Sequence, residues 1–321
     1  MLLGVHTAVI FCKFCGLCAC IAFFLGCDNP SSSADARSSS AKLETLSVTN
    51  AAGLTMSVAQ EYANPALSLS IPGEPSGQNA VLILFPEHVT VRKHGSNEAE
   101  HLYLWQSGNT ETSPKWVGNA NGLNYEMEFE HGIHFVARAL LEDNGVLLHY
   151  EFINASDIDY ASVQAITDLR MLTPMLRDVR LERTYVHGPN GFRLMASDMP
   201  ERLTMPLKKW LPNRYRVSYS WPVDIVRVEK QADGIVFFNA SQKADEPLLA
   251  TVSTDGHWIM ATFSRNPGNL WTNPELTCQH ADPDIPVSRR SAGVIEEKVL
   301  LLSGTLQDVL ALVRKQRATL K

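Results

Sequence analysis

Cys278, His280 and Asp282 alternate along Thr277-Cys-Gln-His-Ala-Asp-Pro, and a thiol, an imidazole and a carboxylate at that spacing can hold a metal, pass a proton or fasten a loop. Cys and His two apart is not a structural-zinc spacing and no second Cys pair follows, so no metal is expected and loop fastening is the reading kept. Cys278 reads as a small buried hydrophobe. His149 and Glu151, two apart on a strand, share one face and can orient an acid/base pair. His131 and His134, three apart, fall on opposite faces and make a poor ligand pair. Phosphate-binding glycine loops, a Gly-x-Ser-x-Gly elbow and His-Glu-x-x-His are all absent from the chain.

The aromatic residues point to a different chemistry. Trp105, Trp210, Trp221, Trp258 and Trp271 fall at strand ends or in loops, in a chain that also offers Arg183, His187, Arg265 and His280. Sugar sites set flat aromatic faces against the apolar side of the ring and polar side chains around its hydroxyls. Arg183, His187, Trp258, Arg265, Trp271 and His280 are therefore the candidate ligand-binding residues, and His187, His280 and Glu151 the candidate catalytic ones. Core plugging is the competing account of the tryptophans.

These residues need elements to position them, and the signals are those of strands. Tyr125, Met127 and Phe129 alternate with Glu126, Glu128 and Glu130, giving one apolar and one acidic, solvated face. Asp143-Asn144-Gly145 supplies a hairpin turn and Val146 to Asn154 returns as the partner strand. Ala80 to Phe85 is a continuous apolar run expected to end at Pro86. Asn50 to Gly53, Asp233-Gly234 and Thr254-Asp255-Gly256 mark further turns, and Ala292 to Leu302 reads as a closing strand. Residues 264–288 hold Pro267, Pro274, Pro283 and Pro286 and are expected to be a long irregular loop. The one helix expected is 305–320, with Thr305 as cap and Leu306, Val309, Leu310 and Val313 on one face.

The 321 residues are 45% hydrophobic with a formal net charge of −6, which suits a large core and argues against nucleic acid as the partner. Against that acidic background, residues 170–216 hold eight arginines and two lysines with only four acids. Such a block suggests an anion-facing surface; ion pairing with the acidic stripe is the alternative. Its prolines predict loops and short strands.

The first 26 residues read as an export signal: Phe14 to Gly26 is an apolar run too short to span a bilayer as a helix. It ends Phe24-Leu-Gly-Cys27, which resembles the lipobox of bacterial lipoproteins, with Phe24 where that motif usually carries Leu. The resemblance implies lipidation at Cys27, and residues 27–42, rich in serine, then form a tether. Five of the six cysteines lie at or before Cys27, so the mature domain, 43–321, is expected to have no internal disulfide.

The stretch His149-Tyr-Glu-Phe-Ile-Asn154-Ala-Ser-Asp157-Ile-Asp-Tyr-Ala-Ser-Val-Gln-Ala-Ile-Thr-Asp-Leu-Arg-Met171 is similar to the aldose mutarotase-like β-sandwich proteins, in which an Asn-x-Ser-Asp turn precedes a strand carrying the site. That family carries a catalytic histidine there; this chain has Gln164-Ala165-Ile166-Thr167, so its sugar-ring proton chemistry is not implied. The resemblance implies a large antiparallel all-β supersandwich, here with one C-terminal helix, and a carbohydrate-facing concave sheet. The expectation is a lipid-anchored protein of the bacterial envelope or periplasm that binds or processes a glycan, with no cofactor; the arginine block suggests an acidic glycan. A structural or interaction lipoprotein, and an epimerase or lyase on an acidic sugar, are the alternatives.

Overall fold

The computed structural model describes residues 46–61, 64–73, 80–104, 114–130, 132–197, 213–215, 228–230, 236–273 and 277–321. Cys27, the tether, His131, Trp105, Trp210 and Trp221 lie outside these residues.

The chain begins with β1 (Ser47–Thr49), β2 (Thr55–Glu61), β3 (Asn64–Ser70), β4 (Ala80–Lys93), β5 (Glu100–Leu102) and β6 (Val117–Gly118). A meander, β7 (Gly122–Phe129), β8 (Ile133–Glu142) and β9 (Gly145–Asn154), comes next and is followed by β10 (Tyr160–Arg170), which crosses to the other sheet. Then come β11 (Thr184–Gly188), β12 (Gly191–Leu194), β13 (Asn213–Tyr215), β14 (Val228–Lys230), β15 (Val236–Asn239), β16 (Leu248–Val252) and β17 (Trp258–Ser264). The last elements are β18 (Leu270–Thr272), β19 (Cys278–Gln279), β20 (Asp284–Val287), β21 (Ser291–Ser303), helix α1 (Leu306–Gln316) and a 3-10 turn, Arg317–Thr319.

Two large antiparallel sheets result. The first runs β1-β2-β3-β4-β10-β19, with β20 also pairing β10 and β5 pairing β4. The second runs β12-β11-β16-β17-β21-β9-β8-β7-β6. A small third sheet, β14-β15-β13-β18, has β13 and β15 parallel. Alternation explains how the large sheets meet. On β7, Leu123 and Tyr125 are buried while Glu126 and Glu128 are exposed, and the buried set joins Phe135, Leu148, Tyr150 and Phe152 against Ile83, Phe85, Val163 and Leu169. Each such side chain, fully buried, contributes about 1.5–3 kcal/mol. The exposed Glu128 pairs with His134 at 2.7 Å, so the acidic stripe is a solvated face.

The turn joining the second sheet to the first is organised by Asn154. Its Oδ1 accepts from Ser156 N and Ser156 Oγ, and its Nδ2 donates to the carbonyls of Ile158 and Ser288. At the C-terminus Thr305 and Asp308 form a reciprocal capping box, and Val309, Leu310 and Val313 bury against β16 and β17. The helical region matches its expected span.

Two expectations fail. Pro86 does not end a strand, because β4 continues through it to Lys93. The pairing passes from Asp168 opposite Leu84 to Ile166 opposite His88, so Phe85, Pro86 and Glu87 together face Thr167. A bulge is where a residue lacking an N–H fits a ladder. Residues 264–288 are not a long irregular loop either. Their described part is knitted in by β18, β19 and β20 and by bridges between Pro267 and Pro283 and between Trp271 and His280. Pro267 and Pro283 stand at a bridge and Pro286 in the short strand β20, where ladder bonding is incomplete, and Pro274 lies outside the described residues.

Gly145, entering β9, has no room for a side chain: a Cβ there would meet the Val299 carbonyl oxygen at 1.9 Å. Gly145→Ala is expected to cost at least about 2 kcal/mol in urea unfolding. Gly95→Ala, with φ +80° and nothing within 4 Å of the new Cβ, should cost only about 1 kcal/mol. Equal losses would show that β9 and β21 do not approach this closely.

Candidate functional site

The bulge in β4 re-aims side chains at the place where β10 turns polar. Leu169 belongs to the main core, so its neighbours Asp168 and Arg170 point to the opposite face of the first sheet. β19 pairs here with Arg170 opposite Cys278 and Leu169 opposite Gln279, which sets Cys278 and His280 on the same face as Asp168. Sequence-distant groups thus converge: Glu87 and His88 from the bulge, Asp168 and Arg170 from β10, and Cys278, His280 and Asp282 around β19.

At the base of the site, His280 is 1% exposed, and its ring stacks on Trp271 with centroids 3.7 Å apart and planes within 5°. His280 Nε2 lies 3.7 Å from Asp168 Oδ1 and Nδ1 lies 3.5 Å from Asp282 Oδ2. Asp282 is itself held, its Oδ1 accepting from Thr167 N at 3.0 Å and its Oδ2 from Trp271 Nε1 at 3.3 Å. Arg170 Nε donates to Asp168 Oδ2 at 2.6 Å. Burial pushes the Cys278 thiol up, against a smaller opposing pull from His280. Burial alone would push the His280 imidazole down, but Cys278 and Asp282 beside it raise it well above its usual range. Because burial favours the neutral thiol, the Asp282 carboxylate is the partner that keeps the proton on His280.

Deeper between the sheets, Glu297 accepts from Thr262 Oγ1 at 2.6 Å and is fully buried, and Tyr150 and Thr167 share a hydroxyl hydrogen bond of 2.7 Å. Desolvation, then the Asp282 charge, pushes the Glu297 carboxyl up to about 8. At the mouth, burial and then Asp168 raise Glu87. Burial and then His101 push His88 down to about 4, so its imidazole is neutral at pH 7. The His88 ring packs edge-on to His101 at 4.9 Å and tilted against Tyr103 at 5.4 Å, and Tyr103 is 59% exposed.

Of the residues nominated from sequence, Trp271 and His280 are brought together. Arg183 does not join them: its guanidinium is committed to the carbonyls of Met175, Arg177 and Val252. His187 bonds Asp245 at 2.6 Å and sets its ring edge-on to Phe192. Arg265 donates to the Leu320 carbonyl and lines, with Asp245, Asn266 and Arg317, a separate open depression of about 380 Å³. Trp258 packs on the main core. Glu151 faces Arg138 at 3.6 Å while His149 bonds Glu296 at 2.9 Å, so that pair is split between partners. Glu87, His88, Tyr103, Asp168 and Arg170 were not nominated. The signal present in the chain was a charged residue in an otherwise uncharged stretch: Glu87 after the apolar Ala80–Pro86, and Asp168 within Val163–Leu169.

The Glu297 shift fixes a pH dependence. Between the unfolded carboxyl range near 4.5 and the folded value of about 8, the folded chain holds the extra proton, so stability falls as pH rises through this window. Glu297→Gln keeps an acceptor for Thr262 without the charge. Urea unfolding of this variant should show a flatter profile between pH 5 and 8.5, and at pH 8.5 it should be more stable than the parent by on the order of a few kcal/mol. A variant less stable at every pH would refute this.

No protein-family model and no curated protein matches the chain. Similar solved structures include the Slr1438 protein of Synechocystis sp. PCC 6803, at 11% identity and a TM-score of 0.45 over 81% of this chain and 96% of that one. A galactose mutarotase related enzyme from Lactobacillus acidophilus gives 8% identity and a TM-score of 0.45 over 82% and 98%. A galactose mutarotase-like protein from Lactobacillus casei gives 11% identity and a TM-score of 0.40 over 80% and 99%. Galactose mutarotase-like proteins are thus among the structures to which this chain is similar.

Proposed function

We propose that this chain is a carbohydrate-binding protein of the bacterial cell envelope, tethered through lipid at Cys27, and that the sugar docks at the bulge of β4. The observation that carries the reading is the exposed Tyr103 ring packed on neutral His88, directly beside Glu87 and Arg170. An aromatic platform covers the apolar side of a pyranose, and a carboxyl and a guanidinium at its edge meet hydroxyls with directed hydrogen bonds. Glu87 is half-buried, and burial followed by the Asp168 charge pushes its carboxyl up from the ordinary range.

The ligand favoured here is neutral rather than acidic. Arg170 is already bonded to Asp168, and Glu87, Asp168 and Asp282 together place more negative than positive charge around it. A sugar carboxylate would have to displace that pairing.

A thermal-shift and calorimetric screen of neutral and uronic-acid oligosaccharides should find the neutral class binding more tightly. Tyr103→Ala and Glu87→Gln are each expected to weaken that binding about tenfold, in line with a lost stacking face or a lost charged hydrogen bond of roughly 1.5 kcal/mol. Uronic acids binding more tightly, or a Tyr103→Ala protein that binds unchanged, would remove the face from consideration. Mass spectrometry of the native protein should find an acylated N-terminus at residue 27; an unmodified Met1 terminus would rule out the tether.

A further inference from the structure

We infer that Asp168, Cys278 and His280 form a mononuclear zinc-type site with an open coordination position. The inference goes beyond sugar binding and does not depend on it. One ligand atom from each of the three residues lies within 4.8 Å of the other two, and all three residues are buried. Four-coordinate zinc with bonds of 2.0–2.3 Å holds neighbouring donors about 3.3–3.8 Å apart, so the three donors need to close by only about 1 Å. A thiolate, an imidazole and a carboxylate form a donor set suited to a borderline divalent cation, and not to calcium or magnesium.

Two further observations point inward to a ligand. Asp168 Oδ1 is buried without a hydrogen-bond partner, while its other oxygen is tied to Arg170. A buried acceptor left open in this way costs free energy unless something fills it. The second is the arrangement behind His280. Asp282 Oδ2 stands beside Nδ1 at 3.5 Å, leaving Nε2 to face Asp168. Nδ1 has no hydrogen-bond partner as it stands, and a small closure onto Asp282 would give the carboxylate–histidine arrangement found behind metal-bound imidazoles, where an outer carboxylate fixes which nitrogen is free to ligate. Asp282 is fixed in turn by Thr167 N and Trp271 Nε1, and the Trp271 ring lies flat on the imidazole, so the ligand has no freedom to rotate away.

Coordination would replace two protons, one from Cys278 Sγ and one from His280 Nε2, with the cation, and both protons pass to buffer. The cation's two charges and the Arg170 guanidinium together then balance Asp168, Asp282 and the new thiolate. The remaining position is left for water or a ligand oxygen, as in zinc sites with three protein donors.

Cobalt titration of the full, metal-stripped chain tests this, since thiolate ligation gives cobalt an intense sulfur-to-metal charge-transfer absorption. One equivalent should produce that band, and zinc should abolish it by displacement. Because five other cysteines precede residue 28, the deciding variant is Cys278→Ser, which should lose the band while its circular dichroism stays that of the parent. Asp282→Asn should keep the band but weaken zinc about 10–100-fold. A folded parent with no band, or a Cys278→Ser chain that retains it, would overturn the proposal. If Cys278→Ser does not fold, Asp168→Asn serves instead: unchanged zinc affinity in that variant would likewise overturn it.

Discussion

The site depends on one irregularity in one ladder. β4 and β10 pair in unbroken register from Ser162 to Ile166 and from Asp168 to Arg170, but opposite Thr167 three side chains crowd into the place of one. An uninterrupted ladder would have kept strict alternation and turned Glu87 to the same side as the buried Phe85. The extra residues bring Glu87 and His88 to the face where Asp168 and Arg170 already stand, and Thr167 N is left to bond Asp282 instead of the neighbouring strand. The irregularity therefore recruits β4 to the site and also anchors the segment that supplies His280.

The electrostatic result is a line of buried polar groups, from Glu297 and Tyr150 through Thr167 and Asp282 to His280 and Asp168. Burying this much charge opposes folding, and the pairings offset only part of it. Glu297 titrating near 8 and His280 holding its proton are two responses to the same constraint: the interior tolerates few net charges, and proton uptake or retention reduces them. Clusters with perturbed titration of this kind are characteristic of functional sites.

Much of the scaffold was legible in the chain, because its signals are local. The Glu126–Glu130 alternation, the Asp143-Asn144-Gly145 turn and the Thr305 cap each involve residues within one element or one turn. The site was legible only in part. Trp271 and His280 could be nominated by type, but their partners Asp168 and Glu87 lie more than 100 residues earlier and are brought in by strand register, which no local pattern encodes. Arg183 was nominated by the density of arginines around it, yet its use is structural: it donates to the carbonyl groups of a turn and a strand end. Pro86 misled for a related reason, since a proline ends a strand only where its missing N–H would have been needed.

β21 carries a consequence for how such a chain is made. In the second sheet it lies between β17 and β9, pairing with β9 from Ser291 to Leu300 and with β17 from Glu297 to Ser303. Until the ribosome has released residue 303, those two strands have open edges facing each other with nothing between them, and both are rich in apolar side chains. The two halves of the sheet, β9-β8-β7-β6 and β12-β11-β16-β17, are joined only through β21. During that interval the nascent chain has two unpaired edges of the sort that bind stray strands, and a holding chaperone that covers β9 and β17 would govern the yield of folded protein.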